Sequence, residues 1–441
     1  MANERALFVT KLGGILAAVG SAVGLGNIWR FPTETGANGG AAFILIYLAC
    51  VLVLGTPLML AELTLGRTTH RNPAGTYRQL TPGTGWHLLG YLGAIAQLLV
   101  LGFYSVVAGW TLNYAFCAIF DMIPNFGEFS SGLQTPLCCT VIFILLNAVI
   151  VLGGVQKGIE RASNIMMPVL GILLLVLCIN SLLLPGAKEG LSFLFHPDFS
   201  KINASVVVSA MGQSFFSISV GIGCLLTYGS YLADNTRMGK TALSITLLDT
   251  LIAILSGIVI FPACFSYGVM PDAGPGLAFI TLPEVFGQMP GGYFWCVIFF
   301  LLLSLAALTS TISMFETPIA ILHEEFKLSR RNAVLVTTGI GLCLGMLCCF
   351  SFCPDYSEQL SVLGKTFFDL FDTITAEYLM PGCGMLMSIY IGWIVPKEKI
   401  VATLTNDGTT SGWYVPAFFF VVRYFAPLCI LIIFLSGLGV F

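Results

Sequence analysis

The chain has 441 residues, of which 57% are hydrophobic and only 9% are charged, and its formal net charge is −3. Because an ordinary soluble domain carries about 25% charged residues, this composition excludes soluble enzymes and disordered chains. The long unbroken apolar runs also exclude a transmembrane β-barrel, whose strands alternate apolar and polar residues. The sequence therefore predicts an all-α polytopic membrane protein.

Eleven apolar segments are each long enough to cross a bilayer, since a spanning helix needs about 20 apolar residues. We expect most of the chain to lie within lipid, and we number these segments spans 1 to 11 in chain order. They cover residues 11–36, 40–66, 87–120, 135–153, 162–185, 203–234, 240–270, 292–324, 331–352, 361–394 and 414–440.

Lysine and arginine are distributed unevenly between the predicted loops. If the N-terminus is cytoplasmic, 14 of the 19 lie on the inner side, which is the positive-inside pattern of multi-pass membrane proteins. With an odd number of spans, the C-terminus is then expected outside the plasma (inner) membrane. The inner residues are Arg5, Lys11, Arg67, Arg71, Arg78, Lys157, Arg161, Arg237, Lys240, Lys327, Arg330, Arg331, Lys397 and Lys399.

Two glycine-rich segments interrupt the apolar pattern, residues 20–27 in span 1 and residues 217–223 in span 6. Either segment alone fits close packing of small residues or a broken helix, because glycine weakens a helix by roughly 1 kcal/mol relative to alanine. Since the two copies lie five spans apart, the second begins from the opposite face of the membrane. This arrangement predicts a 5+5 inverted repeat with broken helices 1 and 6 and a binding site near the midplane.

The repeat divides the chain into three predicted parts. The N-terminal repeat covers 1–200, the inverted C-terminal repeat covers 201–396, and an extra helix occupies 397–441. The few polar residues within the spans gather around the two breaks rather than along a continuous path, which favours alternating access over a channel.

Residues 20–32, GSAVGLGNIWRFP, resemble the first-helix signature of the neurotransmitter:sodium symporter family. Further segments resemble the bacterial amino-acid branch of this family. They are NGG, PLM, KGIER, GQSFF and LTS, at residues 38–40, 57–59, 157–161, 212–216 and 308–310. Many members have twelve spans, whereas this chain has eleven predicted ones, and the additional span lies outside the repeat. The resemblance implies sodium-coupled amino-acid symport rather than enzymatic activity.

The resemblance also implies two sodium sites beside the breaks, where unwound helices free backbone carbonyls for hard cations. Without it, the Thr309 and Ser310 hydroxyls would be read as bonded back to their own helix. The first site would use Ala22, Asn27, Ser217 and Asp249, together with the substrate carboxylate. The second site would use the carbonyls of Gly20, Val23 and Ala306 and the hydroxyls of Thr309 and Ser310.

For the substrate, the family pattern places a carboxylate against the amides of Leu25 and Gly26, at a helix-half N-terminus that favours anions. Gly24 stands where monoamine-transporting members carry an aspartate, so an amino-acid substrate is expected. The mostly apolar pocket favours a hydrophobic or aromatic L-amino acid, although aromatic residues at helical spacing also fit plain packing. The expected substrate residues are Ala22, Leu25, Gly26, Val100, Tyr104, Phe216, Ser219, Ile222, Ser310 and Met314.

Two charged pairs are implied as gates, since charged residues within spans need partners. Arg30 with Asp372 would close the outer path, and Arg5 with Glu324 would close the inner one. The alternative for Arg5 is an ordinary positive-inside charge. Phe8 stands where the family commonly has tryptophan.

Asp249 also bears on chloride. Chloride-dependent members have a neutral asparagine at this position, and bacterial relatives often carry a carboxylate one helical turn later, where this chain has Ala253. Asp249 is therefore expected to supply the negative charge and make transport chloride-independent, unless it only bonds to neighbouring hydroxyls.

The sequence thus predicts a symporter that uses two Na⁺ ions, the lipid bilayer and a small amino-acid substrate, with no nucleic-acid partner. The remaining alternative is a ligand-gated channel or a transport-inactive amino-acid sensor on the same fold. The oligomeric state is left open.

Overall fold

The computed structural model describes residues 6–269, 276–362 and 364–437, and this part of the chain is almost entirely helical. Eight of its helices are long and apolar enough to cross a membrane, or up to ten if each of two bent pairs is one span. The unbent spans are Ala41–Thr69, His87–Ile119, Gln134–Leu152, Val155–Leu182, Met238–Ser266, Gly292–Glu324, Arg330–Phe352 and Val415–Gly437, which correspond to spans 2, 3, 4, 5, 7, 8, 9 and 11.

Spans 1, 6 and 10 are the irregular ones. Span 1 consists of Lys11–Ala22 and Gly26–Ala37, bent by 56°. Span 10 covers Phe367–Ile394 and is followed, at an angle of 100°, by the short helix Lys397–Thr405. Span 6 consists of Ala204–Ser217 and Cys224–Gly229. The predicted all-helical fold with breaks in helices 1 and 6 is confirmed, and the helices are compatible with eleven spans.

The break in span 6 has a specific conformational cause. Ser219, Gly221 and Gly223 have φ values of 51°, 106° and 88°, in the left-handed region that glycine adopts without a steric penalty. Gly221 also approaches another span closely, because a Cβ there would lie 2.7 Å from the carbonyl oxygen of Met380. The glycines therefore allow the helix to break, and Gly221 also allows span 10 to contact the break.

Spans 3 and 8 lie at the centre of the molecule. In their most apolar windows 72% and 78% of the residues are buried, compared with 33% for spans 5 and 11. The exposed side chains of spans 4 and 5 are large and apolar, for example Val149, Ile172 and Leu175. These two spans therefore present a lipid-compatible surface while spans 3 and 8 support the interior.

Short helices connect the spans, and three predicted span boundaries differ from the structure. Span 10 begins at Phe367 rather than 361, because Ser361–Val362 and Lys365–Thr366 form an antiparallel pair with Ser361 opposite Thr366. The Thr366 hydroxyl accepts the Asp369 N–H at 3.1 Å and caps the helix. Span 5 also begins earlier than predicted, and span 6 ends earlier, at Gly229. The connecting helices are Pro73–Leu80, Phe126–Ser131, Ala187–Phe195, Phe199–Lys201, Leu277–Gly287 and Pro354–Ser357.

Candidate ion and substrate site

The two helix breaks face one cavity of about 40 Å³ between spans 1, 3, 6, 8 and 10. All the predicted substrate residues except Leu25 line it. Leu25 lies at its edge, since its backbone N–H donates to the Tyr104 hydroxyl at 2.9 Å. The lining residues from the prediction are Ala22, Gly26, Val100, Tyr104, Phe216, Ser219, Ile222, Ser310 and Met314.

The end of the cavity at span 1 is crowded. A Cβ at Gly24 would lie 2.7 Å from the Tyr104 hydroxyl and 3.1 Å from the Ser310 hydroxyl. A larger residue at this position therefore requires both neighbours to move. The bond from Leu25 fixes Tyr104 beside the N-terminus of the outer half of span 1, where backbone N–H groups favour a carboxylate.

Three of the four residues predicted for the first sodium site, Asn27, Ser217 and Asp249, form one buried hydrogen-bonded cluster, and the fourth, Ala22, lines the cavity. The Asn27 side-chain NH₂ donates to Asp249 Oδ1 at 2.8 Å and to the Ser217 hydroxyl at 3.1 Å. Ser217 donates in turn to Asp249 Oδ2 at 2.9 Å, and Tyr47 donates to Ser217 at 3.2 Å. The cluster supplies carboxylate and hydroxyl oxygens, which are suitable ligands for a hard cation.

Asn27 is oriented for hydrogen bonding in this arrangement. Its Oδ1 accepts the Gly24 N–H at 3.1 Å, while its NH₂ group faces the carboxylate. Ligation by Oδ1 of a cation that also contacts Asp249 requires the amide to turn, because Oδ1 now faces Gly24 and the NH₂ group faces the carboxylate. Ion binding and the conformation of the span 1 break are therefore connected through this one side chain.

The residues predicted for the second sodium site lie where spans 1 and 8 meet. A Cβ at Gly20 would lie 3.2 Å from the Thr309 Cβ, so these two positions are in contact. The Thr309 hydroxyl donates to the carbonyls of Leu305 and Ala306 at 3.1 and 3.0 Å. A hydroxyl that donates its proton retains lone pairs for a cation, so this bond and a ligand role are compatible.

Ser310 reaches across to span 1, where its hydroxyl donates to the Ser21 carbonyl at 3.2 Å. Val23, the remaining predicted ligand of this site, is fully buried at the start of the break. Its N–H still bonds to Val19 at 2.7 Å, so the inner half of span 1 remains helical up to this point. The second cluster therefore joins the end of that half-helix to span 8.

The break in span 6 is held by a buried carboxylate. Glu62 of span 2 accepts backbone N–H groups from Gly221 at 2.7 Å, Leu226 at 3.3 Å and Gly223 at 3.4 Å. Gln97 of span 3 adds a bond to the Ile222 carbonyl. Because unpaired amides are costly in lipid, these side chains stabilise the open conformation of span 6.

At the end of the site that the sequence predicts to be outer, Arg30 does not form an ion pair with Asp372 within the described ranges. Its guanidinium lies 4.3 Å from the centre of the Phe216 ring and 3.8 Å from a Glu34 carboxylate oxygen. Asp372 lines the cavity from span 10. The predicted outer gate therefore has its two members on the same side of the site but apart.

On the inner side, Glu324 accepts the backbone N–H and side-chain NH₂ of Asn72 at 3.0 and 2.9 Å. Arg5 lies outside the described residues, so the Arg5–Glu324 pair stays a prediction. Phe8 is buried against the rings of Tyr228 and Tyr231, with centroids 5.9 and 5.8 Å away.

The segment before span 1 is also tied to span 5. Glu160 accepts the N–H groups of Val9 and Thr10 at 2.7 and 3.0 Å, at the first turn of span 1. The side-chain NH₂ of Gln156 donates to the Leu7 carbonyl at 2.8 Å. The start of span 1 therefore moves with the inner end of span 5 unless these bonds open.

Several lining residues were missed by the sequence analysis. Phe103, Thr375, Ala376 and Met380 contribute to the cavity, three of them from span 10. The available signal was the pair of small residues Thr375 and Ala376, of which Thr375 is polar, within an apolar span. Which face of span 10 points inward depends on its packing against other spans, and that information is not contained in the local pattern.

The chain is similar to known proteins both in sequence and in structure. The sodium:neurotransmitter symporter family model matches residues 5–141 and 123–441. The uncharacterized sodium-dependent transporter YhdH of Bacillus subtilis is 36% identical, with 98% of each chain covered. An uncharacterized sodium-dependent transporter of Haemophilus influenzae is 32% identical, with 99% of each chain covered. The crystal structure of MhsT in complex with L-phenylalanine has a TM-score of 0.89 at 40% identity, covering 98% of this chain and 100% of that chain.

Proposed function

Because the chain belongs to the sodium:neurotransmitter symporter family, we propose that it imports a hydrophobic or aromatic L-amino acid together with two sodium ions by alternating access. The observation that carries this proposal is the single cavity where both helix breaks, Tyr104 and an apolar wall meet. The similarity to MhsT, whose structure contains L-phenylalanine, supports an amino acid of this type.

The two ends of the cavity suit the two ends of such a substrate. The Leu25 and Gly26 amides and the Tyr104 hydroxyl receive the carboxylate, with Tyr104 exchanging its bond from Leu25 for one to the substrate. The side chain contacts Val100, Ile222 and Met314. No charged lining residue other than Asp372 is present among the described residues, so an apolar side chain loses no ionic partner on binding.

Sodium supplies the driving force. Each positive charge that moves inward through 100 mV contributes about 2.3 kcal/mol, so two sodium ions with a zwitterionic substrate contribute about twice that, plus the concentration gradient. The first ion joins Asn27, Ser217 and Asp249 to the substrate carboxylate. The second joins Gly20, Val23 and Ala306 to the Thr309 and Ser310 hydroxyls.

We propose further that transport is independent of chloride. Asp249 is fully buried, and the groups within hydrogen-bonding distance of its carboxylate are the neutral side chains of Asn27 and Ser217. A sodium ion bound there is neutralised by this carboxylate, which removes the need for a separate anion.

Arg30 and Asp372 are proposed to close the outer path once substrate is bound. Arg30 then exchanges Glu34 for Asp372, which lines the same cavity as the Phe216 ring that Arg30 contacts at 4.3 Å. Asp372→Asn is expected to impair uptake more than equilibrium sodium binding. An equal loss of both would contradict a gating role and indicate a structural one.

The proposal is tested by uptake into proteoliposomes with an imposed sodium gradient. Concentrative, saturable uptake of radiolabelled L-phenylalanine is expected, with competition by a panel of the twenty amino acids strongest for apolar and aromatic members. Collapse of the sodium gradient should abolish accumulation. A ligand-gated channel would conduct without accumulation, and a transport-inactive sensor would bind without uptake, so either result overturns the proposal.

A further inference from the structure

A second, larger groove lies on the membrane-facing surface between spans 2, 7 and 11. Its volume is about 860 Å³, within the range of roughly 300–1,000 Å³ that is typical of small-molecule sites. The wall is formed by Leu52, Val53, Leu60, Leu243 and Val421. Three of these side chains, Leu52, Val53 and Leu243, are about half exposed, so the groove opens toward the apolar phase of the bilayer.

One end of the groove is cationic and hydroxyl-rich. Arg237 and Lys240 line it together with Thr410 and Ser411. Both cations are exposed, and within residues 6–269, 276–362 and 364–437 neither has a salt-bridge partner. No Asp or Glu is among the described residues of the groove lining. The nearby Asp234 is engaged by His70 at 2.8 Å.

The polar end lies at the level of the membrane interface. Span 7 begins at Met238 and span 11 at Val415, so the cations directly precede one span and the hydroxyls precede the other. Trp413 is 82% exposed beside them, and exposed tryptophans are typical of the headgroup region. The positive-inside distribution of the chain predicts this end to be cytoplasmic.

The apolar part extends away from that end along span 2. From Leu60 to Leu52 the helix rises by about 12 Å, which is close to the depth of one leaflet, about half of a 30 Å hydrocarbon core. The groove thus combines a cationic interfacial end with an apolar channel one leaflet deep. This is the shape of a lipid with a negatively charged headgroup.

We propose that this groove binds an anionic phospholipid, whose phosphate is held by Arg237 and Lys240 and whose acyl chain lies between spans 2, 7 and 11. The charge complementarity selects an anionic headgroup over a zwitterionic one. The groove lies between span 2, which carries Glu62, and the first turn of span 7. Span 7 also carries Asp249, farther along the helix. This inference does not depend on which amino acid is transported.

The test uses the full chain purified in neutral detergent and titrated with dioleoylphosphatidylglycerol or dioleoylphosphatidylcholine, with bound lipid counted by native mass spectrometry. The parent is expected to bind the anionic lipid saturably and in preference to the zwitterionic one. In the R237Q/K240Q variant the affinity should fall roughly 30-fold, since each cation near an anionic lipid surface contributes about a fivefold preference.

The matched control is R331Q/K399Q, which removes one arginine and one lysine from exposed positions outside the groove; its lipid affinity should equal that of the parent. Ala417→Trp tests the acyl-chain part of the groove by steric exclusion. Ala417 is exposed on the groove wall, so a large ring there should block the acyl chain without changing the charge.

Four results would overturn the proposal. Unchanged binding in R237Q/K240Q, or equal affinity for the two lipids, would show that the cations do not select the ligand. Full competition by soluble glycerol phosphate would indicate a free-phosphate site instead. A dimer that Ala417→Trp dissociates, with lipid counts unchanged, would identify a second copy of the chain as the occupant.

Discussion

The two helix breaks perform the same task with different chemistry. In span 1 the chain opens at Val23, Gly24 and Leu25 without a left-handed residue, and neutral groups satisfy it: Asn27 accepts the Gly24 N–H and Tyr104 accepts the Leu25 N–H. In span 6 the break is longer, contains three residues with positive φ, and is held by the buried Glu62 carboxylate.

The difference indicates which break moves. Bonds to a charged acceptor contribute about 1.5–3 kcal/mol each, compared with about 0.5–1.5 kcal/mol for neutral pairs. Moreover, the residues that hold span 1 open, Asn27 and Tyr104, are among those proposed to bind the first ion and the substrate. Span 6 therefore behaves as the fixed frame, and span 1 as the segment whose bonds are exchanged when ion and substrate bind.

The largest effect is expected where the frame itself is altered. Gly221→Ala places a side chain at φ 106° and 2.7 Å from the Met380 carbonyl oxygen. Strain of about 1–3 kcal/mol adds to overpacking of about 1–3 kcal/mol, so the variant should lose about 2–6 kcal/mol of stability and most transport. Thermal unfolding in detergent and uptake measure the two losses.

The matched control is Gly212→Ala in the helical half of the same span. A Cβ at Gly212 would meet nothing within 4 Å, and alanine in a helix interior is about 0.5–1 kcal/mol more favourable than glycine. This variant should be as stable as the parent or slightly more so. If Gly221→Ala behaves like Gly212→Ala, span 6 is not the rigid member of the comparison.

The second effect concerns the charge at the contact between the two breaks. Asp249→Asn removes the carboxylate that Asn27 and Ser217 both donate to, so a bound sodium ion loses its counter-charge. Uptake should fall at least tenfold in chloride-free medium and recover in part when chloride is supplied, while the melting temperature shows whether the fold is retained. Uptake by the parent should persist when gluconate replaces chloride, and chloride dependence of the parent would contradict the role of Asp249.

The sequence predicted the positions of both breaks because glycine clusters are local signals, and the family resemblance assigned their neighbours. It did not predict how the breaks are satisfied. Glu62 is a charged residue within a span and therefore needs a partner, but its partners are backbone amides 159 and 161 residues away, at Gly221 and Gly223. Any backbone carries such amides, so no residue pattern marks them.

Arg30 illustrates the same limit for side chains. The family resemblance paired Arg30 with Asp372 on span 10 and did not consider Glu34, which lies one turn away on its own helix. In the structure Arg30 lies near Glu34 and over the Phe216 ring. Which partner it takes depends on the separation of spans 1 and 10, which is a property of the conformation rather than of the local sequence.

A smaller effect is expected at the second cluster, where span 1 meets span 8. Thr309→Ala removes one oxygen ligand, and the sodium concentration for half-maximal uptake should rise roughly tenfold, as for the loss of one bond to a charged group. Thr309→Ser keeps the hydroxyl and should restore the parent value. If alanine and serine give the same sodium dependence as the parent, the second site is assigned to the wrong residues.

The smallest expected effect tests whether span 1 is the one of the two broken spans that moves. Val9 and Thr10, directly before the first turn of span 1, donate their N–H groups to Glu160 of span 5, and Pro168 lies inside the helix of the same span. Proline has no N–H to bond the Asn164 carbonyl and therefore weakens that turn.

Pro168→Ala restores a bond of about 0.5–1.5 kcal/mol, which should stiffen the inner end of span 5 and slow turnover about two- to tenfold while sodium binding at equilibrium is unchanged. Pro262→Ala in span 7 is the control, because that proline also lies inside a helix but on a span with no bond to the first turn of span 1 among the described residues. Turnover measured by single-turnover efflux should slow only in Pro168→Ala. Equal slowing in both variants would mean that prolines act here through packing, and that span 1 does not depend on a flexible span 5 to open.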